Sequence, residues 1–163
     1  MELRRLRSDE GLAYRAVRLR ALELTPEAYG QTLAEALADP EQTWHDLAEA
    51  VADEYGPRAM FVVDRGDGTL AGTLYGAIDR NDPYLAQLGA MWVDPDLRAS
   101  GWADALMEAA LAWARQWGVP AVVLWHRTTN ERAGRFYARH GFAATGLLDD
   151  PGEAEQWALM LDR

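Results

Sequence analysis

Cysteine is absent from the 163 residues. The chain therefore has no disulfide, no thiolate metal site and no thiol nucleophile. That absence fits a reducing compartment. No apolar run approaches the roughly 20 residues that a helical membrane span needs. The opening MELRRLRSDE lacks the apolar core of a secretory signal. The expectation is a cytoplasmic protein without a membrane partner. Histidine is sparse, and His45, His126 and His140 stand at no metal-ligand spacing, so no metal is expected. Positive charge is in deficit, 16 basic against 26 acidic residues, for a net charge of −10. Such a balance argues against a nucleic-acid backbone as partner. Solubility is the plainer account of the acidic excess; attraction of a cationic amine substrate is the other. No Walker loop, Ser/His/Asp arrangement, internal repeat, linker or low-complexity tract is visible.

What remains reads as one folded domain over residues 1–163. Apolar residues make up 49% of the chain, enough to bury a core. Glu2 to Leu6 reads as a short strand. Asp9 is a plausible N-cap for a helix to about Leu24, with Leu12, Val17, Leu19 and Leu22 among its apolar residues. Leu33 to Leu37 reads as a short helix, and Asp39-Pro40 starts another that runs to Glu54. Strand signals follow. Ala59–Val63 and Thr69–Ile78 flank the hairpin signal Arg65-Gly66-Asp67-Gly68, and Tyr84–Val93 comes next. A helix from about Gly101 to Trp117 presents Leu106, Ala110 and Trp113 at four-and-three spacing. Ala121–Trp125 is a fifth strand and Asn130–His140 a further helix. Phe142–Thr145 and Gln156–Leu161 are closing strands. This order implies an α/β (α+β) fold, a mixed central sheet of about six to seven strands flanked by helices.

The stretch Leu88 to Asp104 carries the first chemical signal. An apolar run stops at Asp94-Pro95, since proline cannot donate to a strand ladder. Arg98-Ala99-Ser100-Gly101-Trp102-Ala103 then leads into a helix. Free N–H groups at a helix start, a glycine and a basic residue together suit a phosphate.

Arg98-x-x-Gly101-x-Ala103 resembles the coenzyme A pyrophosphate loop of the GNAT superfamily of N-acetyltransferases. A second block, Asn130, Ala133, Phe136-Tyr137 and Gly141-Phe142, resembles that family's N-x-x-A-x-x-F-Y-x-x-x-G-F pattern. The resemblance is firm from about residue 58 to about 145 and looser before. It implies a GNAT-like single domain that moves an acetyl group from acetyl-CoA, as co-substrate, to an amine by direct transfer. It further implies that the backbone N–H groups of Arg98, Ala99, Ser100, Gly101, Trp102, Ala103 and Asp104 meet the pyrophosphate. Trp92 and Val93 would pair with the pantetheine arm. Ala99 departs from the second glycine that many members carry. Asn130 matches an asparagine that bonds the arm, and also reads as a helix N-cap. Tyr137 matches the tyrosine that protonates the leaving thiolate, and also reads as a core tyrosine beside Phe136. The acceptor is a small-molecule or peptide amine, and a homodimer is a further expectation from relatives.

The general base is the open part. Many relatives place Glu on the strand before the phosphate loop, and Gln87 stands there; an amide cannot take a proton. His126 titrates in the right range, although a lone histidine at a strand end is more often structural. Glu23, Glu27 and Asp79 are weaker candidates. Tyr29, Trp44, Tyr84 and Trp125 are candidates for an acceptor pocket, while Trp113 and Trp117 read as packing. Two alternatives stand beside transfer. One is a non-catalytic acyl-CoA-binding sensor or partner module of the same fold. The other is a different nucleotide-binding α/β protein, although G-x-G-x-x-G is lacking.

Overall fold

A computed structural model describes residues 1–162; Arg163, the last residue of the expected domain, lies outside them. The elements run β1 (Glu2–Arg5), α1 (Gly11–Leu24), α2 (Leu33–Ala38), α3 (Glu41–Ala52), β2 (Arg58–Asp64), β3 (Leu70–Ile78), β4 (Leu85–Val93), α4 (Trp102–Gln116), β5 (Ala121–Arg127), α5 (Glu131–Arg139), β6 (Ala143–Leu148) and β7 (Ala154–Met160). The strands form one sheet in the order β1-β2-β3-β4-β5-β7-β6. Only β4 and β5 pair in parallel among the described strands, as a strand–helix–strand crossover through α4 requires. The mixed α/β sheet expected from the sequence is thus present.

Helices cover both faces, which is why β2 reads as a continuous apolar run rather than an alternation. Ala59, Phe61 and Val63 pack toward α4, with Leu106, Ala110 and Trp113. Met60 and Val62 face the other way, into a second core with Tyr14, Val17, Ala21 and Leu22 of α1 and Trp44, Ala48 and Val51 of α3. Leu12, expected among the apolar residues of α1, lies exposed. Asp9 is not the cap of α1. The helix begins after Glu10, which makes no side-chain cap bond. Glu10 is engaged instead with Arg4, whose guanidinium spans Glu10 and Asp64. Trp113 is buried as expected, while Trp117 is partly exposed at the end of α4.

The sheet forks. Parallel pairing of β4 with β5 covers Leu85↔Ala121, Ala86↔Val122 and Gln87↔Val123, then stops. Beyond that point β4 stays on β3 as far as Val93, and β5 stays on β7 as far as Arg127. The two strands part, and a wedge opens between their C-terminal halves. A bulge in β4 lies at the same level. Thr73 opposes Trp92 and Tyr75 opposes Gly89, so Leu74 faces both Ala90 and Met91. Ala90 adopts φ 52°, a left-handed conformation unusual for alanine inside a strand.

Candidate active site in the fork of the sheet

The wedge is the mouth of a cleft of about 630 Å³. One wall is the end of β4 and the loop behind it. Asp94 anchors that loop. Its main-chain N–H donates to the Ala71 carbonyl at 2.8 Å. Its buried carboxylate accepts from Arg20 Nε of α1 at 2.6 Å and pairs with Arg65 of the β2–β3 hairpin at 3.2 Å. It also caps the 3₁₀ turn Pro95–Leu97 by accepting from the Asp96 N–H. The Arg20 bond is the main reason the Asp94 carboxyl is held below the usual carboxylate range. Three chain segments thus converge on one carboxylate to fix where the loop begins.

The loop then turns twice through left-handed backbone, at Ala99 (φ 62°) and Gly101 (φ 90°). No side chain caps the start of α4, so its first N–H groups are left for another acceptor. A Cβ on Gly101 would meet nothing within 4 Å. The glycine is required by its φ and not by crowding.

The opposite wall is the end of β5 and the first turns of α5. Asn130 caps α5, its Oδ1 accepting from the Ala133 N–H at 3.2 Å. The cap reading of Asn130 is therefore correct, and the residue also lines the cleft. Its side-chain amide has no partner among the described residues. His126 lies within β5 rather than past its end, and is buried. Its Nε2 stands 2.6 Å from the Asn130 carbonyl oxygen. A carbonyl only accepts, so Nε2 carries the proton and Nδ1 is the remaining basic nitrogen. The ring meets Tyr137 edge-on at 6.0 Å and Trp157 at 5.2 Å. Gly134 makes room for it: a Cβ there would lie 3.2 Å from His126 Cε1.

Tyr137 sits deep in the protein mass, with part of its surface open to the cleft. Burial pushes its phenol up to about 12, so it stays protonated at neutral pH. Its hydroxyl has no hydrogen-bond partner among the described residues. Across the cleft, Tyr29 follows the short 3₁₀ turn Pro26–Ala28. Its hydroxyl donates to the Met91 carbonyl at 3.0 Å, and Arg18 lies over its ring. Thr73 donates to the neighbouring Ala90 carbonyl at 2.8 Å. Two side chains from outside β4 thus hold its bulge.

Of the expected residues, the cleft gathers Trp92, Val93, Arg98, Ala99, Gly101, Ala103, Asp104, His126, Asn130 and Tyr137. Ser100 and Trp102 do not line it. Ser100 bonds back to the Leu97 carbonyl, and Trp102 packs on the core. The Asp104 carboxylate binds His140 Nε2 at 2.7 Å and Arg139 at 3.0 Å. Gln87 lies at the crotch of the fork outside the lining, with its amide donating to Asp79. Asp79 also accepts from the N–H groups of Asn81 and Asp82, so it serves the β3–β4 turn. Among the aromatics, Tyr29 and Trp125 line the cleft. Trp44 is instead buried against Tyr14, and Tyr84 stands exposed in the β3–β4 turn.

Of the arginines in the cleft, only Arg98 was singled out from the sequence. Arg98, Arg127, Arg132, Arg135 and Arg139 all line the cleft, in a chain of net charge −10. Partial desolvation, then the like charges of Arg98 and Arg135, hold the Arg132 guanidinium below its ordinary range. The signal was present as spacing: residues 132, 135 and 139 fall on one face of a helix. No group of three or more acidic or histidine side chains suited to a metal occurs among the described residues. No described helix is long and apolar enough to cross a membrane.

A family model described as the acetyltransferase (GNAT) family matches residues 21–142. An uncharacterized N-acetyltransferase of Mycobacterium tuberculosis is 36% identical over 103 residues, which cover 62% of this chain and 65% of that protein. The match therefore spans just under two thirds of the length of that relative. A mycothiol acetyltransferase of Thermobispora bispora is 33% identical over 137 residues, 77% of this chain and 46% of that protein. Among solved structures, a GNAT-family acetyltransferase of Streptococcus pneumoniae superposes with a TM-score of 0.80 at 16% identity, covering 98% of this chain and 99% of that one. A Salmonella typhimurium structure solved with its cofactor acetyl-CoA gives 0.80 at 17% identity, covering 100% of this chain and 95% of that one. At these identities the structural likeness speaks for the fold.

Proposed function

The chain belongs to the GNAT acetyltransferase family, and from that premise we propose that residues 1–163 act as one acetyltransferase domain. The acetyl group passes from acetyl-CoA to an amine of a small molecule or peptide. The supporting observation is the crowd of arginines around one cleft of an acidic chain, with Arg98, Arg132 and Arg135 close enough to repel. Such a cluster is stabilised by a polyanion, and coenzyme A is one. Assembly as a homodimer, a habit of relatives, belongs to the same proposal; sedimentation reads it.

The residues present fit the coenzyme. Arg98, Arg132 and Arg135 offset phosphate charge, and the N–H groups of Ala99, Gly101, Trp102, Ala103 and Asp104 meet the pyrophosphate at the uncapped start of α4, while those of Arg98 and Ser100 donate to the Pro95 and Leu97 carbonyls. Trp92 and Val93 offer the edge of β4 that β5 has left, and a peptide-like arm adds there as a strand would. The Asn130 side-chain amide donates to that arm. Bound acetyl-CoA supplies the thioester carbonyl and the thiolate leaving group. Tyr137 holds a proton where a sulfur passing along the cleft would collect it. His126 braces Asn130 through Nε2–H, leaving Nδ1 as the nitrogen able to take a proton. Among the cleft carboxylates, Asp104 is paired, whereas exposed Glu27 has no ion-pair partner among the described residues and is the free one. A second reading, a non-catalytic acyl-CoA-binding module, draws on Gln87 standing at the fork with its amide engaged.

Calorimetry with CoA tests the site and thiol release tests the reaction. We expect CoA binding that weakens with salt, and Arg132→Gln to lower both the affinity and its salt dependence. Gly101→Val forces a branched side chain into left-handed backbone and should weaken CoA binding in a folded protein. Unchanged affinity in both variants would remove the loop and arginines from the site. CoA binding without thiol release across a broad panel of amines would favour the non-catalytic module.

A further inference from the structure

The two faces of β5 give the cleft two ends. Leu124 and His126 leave the strand toward α4 and α5: Leu124 joins the core there, and His126 meets Gly134 and Tyr137. By alternation, Trp125 and Arg127 leave it on the opposite face, the one that α1 and α3 cover farther along the sheet. Both still line the cleft, as do Glu27 and Tyr29 from the turn after α1. On β4 that face is open at Gly89. This glycine opposes Tyr75, which packs toward α1 and α3, and a Cβ on it would meet nothing within 4 Å. The cleft thus runs through the fork, with Arg98, Arg132 and Arg135 at one end and Glu27, Trp125 and Arg127 at the other.

The second end has its own chemistry. Trp125 is 42% exposed although it lies inside a strand. An indole left open in a cleft wall suits a flat or apolar body. Arg127 has one ion-pair partner among the described residues, the exposed Glu153 at 3.4 Å. A pair so long and so exposed contributes little, so the guanidinium can exchange it for a ligand carboxylate, which it holds bidentately. Glu27 is exposed and has no ion-pair partner among the described residues. Arg18, the next cation, is turned onto the Tyr29 ring and Gln31. One carboxylate and one guanidinium beside an indole match a molecule that carries both charges. A polyamine is mismatched, because its second ammonium would meet Arg127.

We propose that the acceptor is a small amphoteric amine: its ammonium enters against Glu27, its flat or apolar body lies on Trp125, and its acid group is held by Arg127. The proposal rests on the reading of the cleft as an acetyltransferase site and narrows the acceptor of that site. Trp125 stands nearer than Arg127 to the crotch of the fork at Val123. The amine is thereby directed toward the fork and the acid group outward. Trp125 and Arg127 are specificity-determining residues at the end of the cleft away from the phosphate-binding arginines.

Calorimetry on the full chain, saturated with CoA, tests this without turnover. The probes are phenylalanylglycine, its C-terminal amide and spermidine. The two dipeptides share an amine and an aromatic body and differ by one charge. The free acid should bind about tenfold or more tightly than the amide, and more tightly than spermidine. Arg127→Gln should abolish the preference for the acid, and Arg127→Lys should keep part of it. Trp125→Ala should weaken both dipeptides and leave their ratio. Should a variant fail to fold, the wild-type series decides alone. Failure of CoA to bind overturns the reading of the cleft and the acceptor with it. With CoA bound, equal affinity for acid and amide, tighter binding of spermidine, or no binding of either dipeptide overturns the amphoteric acceptor and leaves the coenzyme site standing. A ratio unmoved by a folded Arg127→Gln overturns the role of Arg127, and dipeptide affinities unmoved by a folded Trp125→Ala overturn that of Trp125.

Discussion

The Tyr29 hydroxyl donates to the main-chain carbonyl of Met91 across 3.0 Å, tying the segment after α1 to the bulge of β4. Beside it, Thr73 donates to the carbonyl of Ala90. The bulge carries a left-handed alanine, a strained state that persists only when its surroundings hold it. Tyr29→Phe deletes one donor and keeps the ring under Arg18. The expected loss is about 0.5–1.5 kcal/mol of stability. Transfer efficiency should fall by up to about tenfold if the bulge shifts. Thr73→Val acts on the same strand segment, so the double variant should not be additive. Strict additivity in denaturant unfolding would show that the two bonds do not hold one feature.

Those bonds also mark what the sequence did not disclose. Strands and helices were legible because period and turn chemistry are local: Gly66-Asp67-Gly68 turns β2 into β3, and Leu106, Ala110 and Trp113 form one stripe of α4. The loop from Arg98 to Ala103 and the Asn130 to Phe142 block were legible as patterns of fixed spacing. The bulge at Ala90 was not, because it is a mismatch of register between two strands. Tyr29 reaches Met91 over 62 positions, and Arg20 reaches Asp94 over 74. Position alone marked Gln87 as a missing base; its engagement with Asp79 required the folded hairpin.

Asp94 gives the chain an acid dependence of stated sign. Its carboxyl is lowered chiefly by the bond from Arg20. A lowered folded-state pKa stabilises fully above the unfolded value of about 4, and that contribution is lost as pH falls through the folded value. Glu10, lowered chiefly by its bond from Arg4, acts in the same direction. Stability should therefore be level from neutral pH to about 5 and decline below about 4. Asp94→Asn should lose about 1–3 kcal/mol at neutral pH and show a shallower acid decline. Parallel acid curves for wild type and Asp94→Asn, from urea midpoints, would exclude Asp94 as a source.

His126 has one nitrogen committed to Asn130 and one free. A brace and a base predict different kinetics. If the ring braces the loop, His126→Ala should raise KM for acetyl-CoA, and His126→Gln, which can still donate to the carbonyl, should recover part of the loss. The acidic limb of the rate profile would remain. We expect this outcome, since burial between Trp157, Tyr137 and Gly134 fixes the ring for packing. Loss of the acidic limb with KM unchanged would instead make Nδ1 the proton acceptor.

Tyr137 is the sharpest test of catalysis. Two physical facts define its state. Burial pushes its phenol up to about 12, and no described residue takes its proton in a hydrogen bond. A neutral, unengaged O–H in a cleft wall is ready to donate when negative charge develops nearby. A thiolate leaving into a partly desolvated cleft is otherwise poorly stabilised, and a donor at the sulfur lowers that barrier. Tyr137→Phe removes only the hydroxyl. The ring contacts with His126, Phe136 and Phe142 persist, so packing should hold and thermal stability should change little. CoA affinity should also persist, because the loop and arginines proposed to meet the phosphates are left unchanged. The rate constant kcat should fall by on the order of 10². The raised pKa adds a second check: wild-type activity should show no decline from loss of this proton until well above pH 10, since a raised value keeps the acid form to higher pH. A Tyr137→Phe protein that loses stability while keeping kcat would make the tyrosine a packing residue, and the leaving thiolate would then need its proton from water.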